Sequence, residues 1–184
     1  FIRKVTDSTC KALNEGNCTG LKFSSSSFEL LIDRKHLLLR EIVKDTAKLV
    51  YEIPKDKHYI VKPLKINIEK TSISKKIIFS DNNSIAYFDY DSLSFPLTLR
   101  KWQPGDRMIP FGMAGSKLIS DLLIDNKVNS FEKENVYVML SGKKIIWLVG
   151  YRSSNDFKVS KSTKTMLIMD LISSKSGFDL ELFK

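Results

Sequence analysis

The residues best suited to chemistry crowd into one stretch, Leu97 to Lys117, LTLRKWQPGDRMIPFGMAGSK. Arg100, Lys101 and Arg107 flank a Pro104-Gly105 turn, and Trp102 stands among them. Guanidinium forks match phosphate oxygens and stack on bases. An indole can lie on a ribose or base, although a tryptophan beside a turn serves equally well as core. The run Gly112 to Lys117 leads into an apolar pattern that predicts a helix over Gly115 to Asn126. Lys117 would then occupy the first turn, where the positive end of the helix dipole disfavours a cation unless an anion is present. Ser116 and Lys117 are therefore phosphate-binding candidates, the alternative being a Gly-rich turn with a solvated lysine. Lys143, Lys144, Arg152, Lys158, Lys161 and Lys164 would widen a basic surface.

Other chemistries find little support. There is no GxxxxGK[ST] loop, GxGxxG fingerprint, HExxH motif or cysteine-histidine cluster. His36 and His58 lie in strand-like surroundings with no nucleophile motif and read as structural. Asp106, Asp121 and Asp125 could form an acid-base set. Asp106 at a Pro-Gly turn more naturally bonds local amides, and Asp121 can pair with Lys117 one turn earlier. Trp147, inside IIWLV, reads as core, and Met108, Met113, Met166 and Met169 read as gap fillers.

The elements that must position these residues are mostly short strands. A weak helical pattern covers residues 1–15, and Asn14 to Ser27 reads as loop with a short strand at Leu21–Phe23. Phe28–Ile32 and His36–Arg40 flank Asp33-Arg34-Lys35, a tight hairpin. Strands follow at Leu49–Ile53, Tyr59–Val61, Leu64–Glu69, Lys76–Phe79 and Ile85–Tyr90. Leu97 and Leu99 alternate with Thr98 and Arg100, and at Lys101-Trp102 the alternation inverts. Within the helix, Leu118, Ile119, Leu122 and Leu123 share a face. A second short helix is expected at Glu132 to Glu134, a hairpin from Val136–Leu140 and Lys143–Val149 around Ser141-Gly142, and a last strand at Thr165–Ile172, buried on both faces. The expected class is α+β: short strands with hairpins, a few short helices and two small subdomains, residues 1–84 and 85–184.

The 184-residue chain carries 30 Lys+Arg against 21 Asp+Glu, a net charge of +9 spread over both halves. Such a balance suits a polyanionic partner, chiefly nucleic acid, and equally a lysine-rich surface kept for solubility. No apolar run approaches the ~18–20 residues of a membrane span. Cys10 and Cys18 fit no metal or CxxC spacing and read as reduced thiols in a cytoplasmic protein. The first residue is Phe1 and not Met, which suggests a piece of something longer.

The ordered set Ala86-Tyr87-Phe88-Asp89, Pro96 to Arg100, Pro104-Gly105-Asp106-Arg107, Pro110-Phe111-Gly112-Met113, Gly115-Ser116-Lys117, Ser120-Asp121 and Ile146 to Arg152 resembles the C-terminal domain of the bacterial tRNA(Ile)-lysidine synthetase family. The similarity is dense from about residue 85 to 172; residues 1–84 fit the less characteristic region before it. The resemblance implies a ligase that joins lysine to the wobble cytidine of tRNA(Ile) with ATP and Mg2+, changing AUG to AUA decoding. The SGGxDS motif of its PP-loop catalytic domain does not occur here. A chain of this portion alone is then expected to be inactive and free of cofactors, and to help select tRNA(Ile) with a CAU anticodon through its acceptor stem. Arg100, Lys101, Trp102, Arg107, Ser116, Lys117 and Arg152 are its expected RNA-binding residues. The family often has a basic pair where this chain has Ser116 and a single Lys117, implying heavier use of backbone amides. No membrane partner is expected, and a homodimer is left open. The competing reading is a protein-interaction or assembly domain with an incidental basic surface, in which Arg100 and Arg107 pair with internal carboxylates. A third, a hydrolase, needs the aspartates to converge.

Overall fold

The computed structural model describes residues 19–34, 36–42, 50–73 and 79–172. The helix expected over residues 1–15 lies outside them, as does the strand expected at Lys76–Phe79 apart from Phe79 itself. Among the described residues fourteen strands follow in chain order: β1 Lys22–Ser24, β2 Phe28–Asp33, β3 His36–Glu41, β4 Val50–Ile53, β5 Tyr59–Ile60, β6 Ile66–Ser72, β7 Ile85–Asp89, β8 Leu97–Lys101, β9 Arg107–Met108, β10 Lys117–Leu118, β11 Tyr137–Ser141, β12 Lys144–Leu148, β13 Arg152–Ser153 and β14 Thr165–Leu171. The helices are α1, Ile119–Asp125, and α2, Ser130–Lys133. The protein is thus β-rich, with small antiparallel sheets and few helical residues.

Two compact units emerge, Phe1–Lys48 with Leu123–Asn135, and Leu49–Leu122 with Val136–Lys184. The division differs from an expected cut between 84 and 85. Strands from both sides of that point share one sheet, in the order β5-β6-β14-β7. The chain also returns to the first unit at Leu123, which no local composition announces.

In the first unit, β1-β2-β3 form a meander. The β2–β3 hairpin pairs Asp33 with His36, and Arg34 takes φ 52° at its tip. Period-two alternation sorts the residues. One face carries Lys22, Glu29, Leu31, Leu38 and Arg40; the other carries Phe23, Phe28, Leu30, Leu37 and Leu39. On that second face Phe28, Leu37 and Leu39 remain exposed. α2 opens with a capping box, Asn129 accepting from the Glu132 amide while Glu132 accepts from the Asn129 amide. It places Phe131 beneath the first face, 4.1 Å from the Arg40 guanidinium carbon and 5.4 Å from Lys22 Nζ. Lys22 and Arg40 each reach both Glu29 and Glu134, closing a four-membered ring of charges. Hydrogen bonds from Lys22, then Arg40, hold the Glu29 carboxyl below its usual value. Burial pushes the Glu134 carboxyl up, but Arg40 and Lys22 outweigh it and the net shift is downward.

In the second unit, a five-stranded sheet, β13-β12-β11-β8-β4, and the four-stranded sheet share one core. Leu97 and Leu99 of β8, Met139 of β11, Trp147 of β12, Phe88 of β7 and Leu167 and Met169 of β14 meet there. Trp147 is fully buried. β14 is central, between β6 and β7. Leu167 and Met169 enter the core, Met166 is buried on the opposite face, and Ile168 and Asp170 are half-buried. The β11–β12 hairpin closes on Gly142-Lys143, with Gly142 at φ 56°.

Two expectations are corrected. The helix begins at Ile119 and not Gly115, because residues 117–118 pair with residues 107–108 as a short ladder. It ends at Asp125, with Lys127 in the left-handed region at φ 57° and the Val128 amide bonded to the Leu123 carbonyl. Met113 is no gap filler: it is exposed.

Candidate nucleic-acid interface

β8 carries Arg100 in mid-sheet, between β11 and β4. Its guanidinium makes a fork to Asp106, Nη1 to Oδ2 and Nη2 to Oδ1 both at 2.8 Å, and Nη1 also donates to the Lys101 carbonyl. Asp106 gathers the turn around itself. Its carboxylate accepts the Gln103 amide at 2.8 Å, its own amide donates to the Gln103 carbonyl, and its carbonyl receives the Ile119 amide at the start of α1. Gly105 at φ 89° supplies the left-handed residue that the Gln103–Asp106 turn requires. Burial raises the Asp106 carboxyl, but the Arg100 fork and then the Gln103 amide outweigh it, holding the group below its ordinary value.

The turn therefore does locally what Asp106 was expected to do, and it also consumes Arg100. Arg100 is paired as the interaction-domain reading requires. Arg107 is not: its exposed side chain donates from Nε to Ser116 Oγ at 3.2 Å and from Nη2 to the Ser116 carbonyl at 3.3 Å, and no carboxylate pairs with it among the described residues. Lys117, half-buried, stands opposite Met108 in the β9–β10 ladder. It is not in a helical first turn, so the helix-dipole argument for an anion there does not apply to this geometry. Lys101 and Trp102 are half-buried where β8 ends, and the Trp102 amide continues the ladder to the Val136 carbonyl at 3.1 Å.

Beyond β9 the chain makes a second turn, Pro110 to Met113, with Gly112 at φ 82° and the Met113 amide on the Pro110 carbonyl. This segment is stitched to residues 153–155. Phe111 donates to the Ser153 carbonyl, Asn155 donates to the Ile109 carbonyl, and the Gly112 amide donates to Asn155 Oδ1. Exposed Arg152 thereby comes beside exposed Phe111. Among the described residues no carboxylate pairs with Arg152 either. The sequence reading missed the aromatic contribution of Phe111, together with Phe79 and Tyr87 across a cleft; an aromatic inside PFGM was the available signal. The hydrolase reading needs three aspartates to converge. Asp106 is committed to Arg100, and neither Asp121 nor Asp125 lines the cleft beside Arg152. No helix among the described residues is long and apolar enough to cross a membrane.

Two β-sheets on one core and a hairpin-borne basic loop define a class that comparison makes specific. Residues 97–169 match the family model described as the TilS substrate C-terminal domain, and over those residues the chain belongs to that family. The chain is 38% identical over 172 residues to the tRNA(Ile)-lysidine synthase of Parabacteroides distasonis, covering 94% of this chain and 39% of the relative. It is 35% identical over 154 residues to the tRNA(Ile)-lysidine synthase of Bacteroides thetaiotaomicron, covering 83% of this chain and 33% of that relative. The chain thus spans well under half the length of these relatives. A crystal structure of a TILS C-terminal domain shares the fold, with a TM-score of 0.51 at 21% identity over 67% of this chain and 92% of that one.

Proposed function

We propose that this chain is the tRNA-gripping part of a tRNA(Ile)-lysidine synthase. In this reading it selects tRNA(Ile) with a CAU anticodon through the acceptor stem. A PP-loop domain, using ATP, lysine and Mg2+, joins lysine to the wobble cytidine. The chain alone then performs no ligation. The carrying observation is that Arg107 and Arg152, both exposed and without a carboxylate partner among the described residues, flank a loop held rigid by two turns and by bonds to residues 153–155. A guanidinium already held, as Arg107 is by Ser116, suits phosphate because little side-chain freedom is lost on binding. A duplex stem is read mainly by shape and backbone, the task such a surface can perform. Arg100 and Asp106 act here as positioning residues, and Lys101, Trp102, Ser116 and Lys117 complete the surface around the loop.

The test is binding of the chain to tRNA(Ile) with a CAU anticodon against elongator methionine tRNA, across a salt series. Selective binding whose logarithm falls linearly with that of salt supports the reading, and the slope counts the phosphates neutralised. Equal binding of both tRNAs leaves a phosphate clamp with selection made elsewhere. No binding at low salt refutes the reading for this chain.

A further inference from the structure

Beside Arg152 the second unit opens into a cleft of about 320 Å³, reached by four separate segments of the chain. That volume sits at the low end of the ~300–1,000 Å³ typical of small-molecule sites. It has room for one planar group and none for a duplex. Phe79, Tyr87 and Phe111 supply aromatic surface, Arg152 a cation, Asp81 a carboxylate, and Asn82 and Asn83 amides.

The aromatic groups are held in place. Phe79 and Tyr87 meet edge to face, ring centroids 5.0 Å apart at 86°. Tyr87 accepts the Ser80 amide at its hydroxyl, 3.1 Å, which fixes the ring from its far end. Phe111 is anchored through its backbone to Ser153, the residue next to Arg152. Phe79 and Phe111 are nonetheless 50% and 51% exposed. Phe79 and Phe111 thus bring exposed aromatic surface to the lining of the cleft. Asn82 Oδ1 is used by the Ser84 amide, whereas no hydrogen-bond partner for the Asn83 side chain occurs among the described residues.

We propose that this cleft holds one unpaired nucleotide, its base stacked on the exposed aromatic rings and its phosphate on Arg152. The inference rests on the RNA-binding reading and extends it from duplex backbone to an unstacked base. Unpaired bases are recognised by stacking on aromatic side chains and by hydrogen bonds to their edges, and an arginine adds charge to the phosphate. A paired base inside a stem offers neither face.

The probes are a fluorescent single-stranded hexaribonucleotide, the same strand in a blunt RNA duplex, and AMP, each titrated against the wild-type chain and against Phe111→Ala, Phe111→Trp and Arg107→Ala. Phe111→Ala should weaken single-strand binding about tenfold, the loss of one stacked base, and leave duplex binding unchanged. Phe111→Trp should restore it, and Arg107→Ala should weaken the duplex instead. Phe111 is half exposed, so the alanine variant should keep the wild-type melting transition. Single-strand binding indifferent to Phe111→Ala, with duplex binding intact, overturns the cleft proposal alone. Absence of binding to either RNA overturns the RNA reading beneath it. Tighter binding of AMP than of the hexamer overturns RNA as the source of the nucleotide.

Discussion

Asp106→Ala should loosen the basic loop by undoing the turn that carries it. The wild-type carboxylate accepts two charge-assisted bonds from Arg100 and one from the Gln103 amide, all at 2.8 Å. The two side chains are only 17% and 13% exposed. Exposed pairs contribute ~0–1 kcal/mol, while breaking a buried pair costs ~3–5 kcal/mol because a charge is stranded. This pair lies between, nearer the second, and a loss of about 2–3 kcal/mol is expected. Both tryptophans, Trp102 and Trp147, belong to the second unit, so urea unfolding followed by indole fluorescence reports that unit. The pH dependence gives a sharper check. The Asp106 carboxyl is depressed on folding. It therefore contributes stability that is present above its unfolded value and lost as pH falls through the folded one. The gap between wild type and variant should be full at pH 7, shrink below about pH 4 and close at lower pH. A double-mutant cycle with Arg100→Met should return a coupling above ~1 kcal/mol. A gap that is the same at pH 3 and pH 7, or a coupling near zero, would refute the reasoning.

Arg107→Ala should leave the urea midpoint within about 0.5 kcal/mol of wild type and reduce the salt slope of tRNA binding by about one. Unchanged affinity with a lost unfolding transition would make Arg107 structural. Gly105→Ala meets no neighbouring atom but forces a side chain to φ 89°, so it should cost about 1–2 kcal/mol in the same urea assay; Gly115→Ala, in open space without positive φ, should be neutral or slightly stabilising. Glu134→Gln removes a carboxylate shared by Lys22 and Arg40, whose side chains are 33% and 29% exposed. The loss should be at most about 1 kcal/mol, read as faster hydrogen exchange of β1–β3 amides, and should fade in 1 M salt. Persistence in salt would count against a screened charge ring.

Strands written in the local alphabet were legible. The 28–33/36–41 and 137–141/144–148 hairpins follow from alternation and turn residues, and Trp147 from an unbroken apolar run. The helix start was not, because Gly115-Ser116-Lys117 looks like a helix entry until Lys117 finds Met108 across a ladder. Asp106 was readable as an amide acceptor, since Gln103 is three residues away. Its claim on Arg100 depends on where β8 points that side chain. The charge ring joins Arg40 to Glu134 across 94 residues, and the aromatic cleft is assembled from four segments. Such pairings are set by topology, which no window of neighbouring residues contains. The family resemblance, carried by an ordered set of short motifs, was more legible than the geometry those motifs build.

The return of residues Leu123–Asn135 to the first unit has a consequence for the order in which the protein can be made. A ribosome delivers Lys22, Glu29 and Arg40 early, but Phe131 and Glu134, which complete their surroundings, only after most of the second unit has been synthesised. Between residues 48 and 135 lie 87 residues of synthesis, 135 minus 48, or roughly 4–17 s at ~5–20 residues per second. Throughout that interval the nascent β-meander waits without the helix that covers its charged face. The first unit is therefore begun, interrupted and completed only at Asn135, when the second unit still awaits β11 to β14.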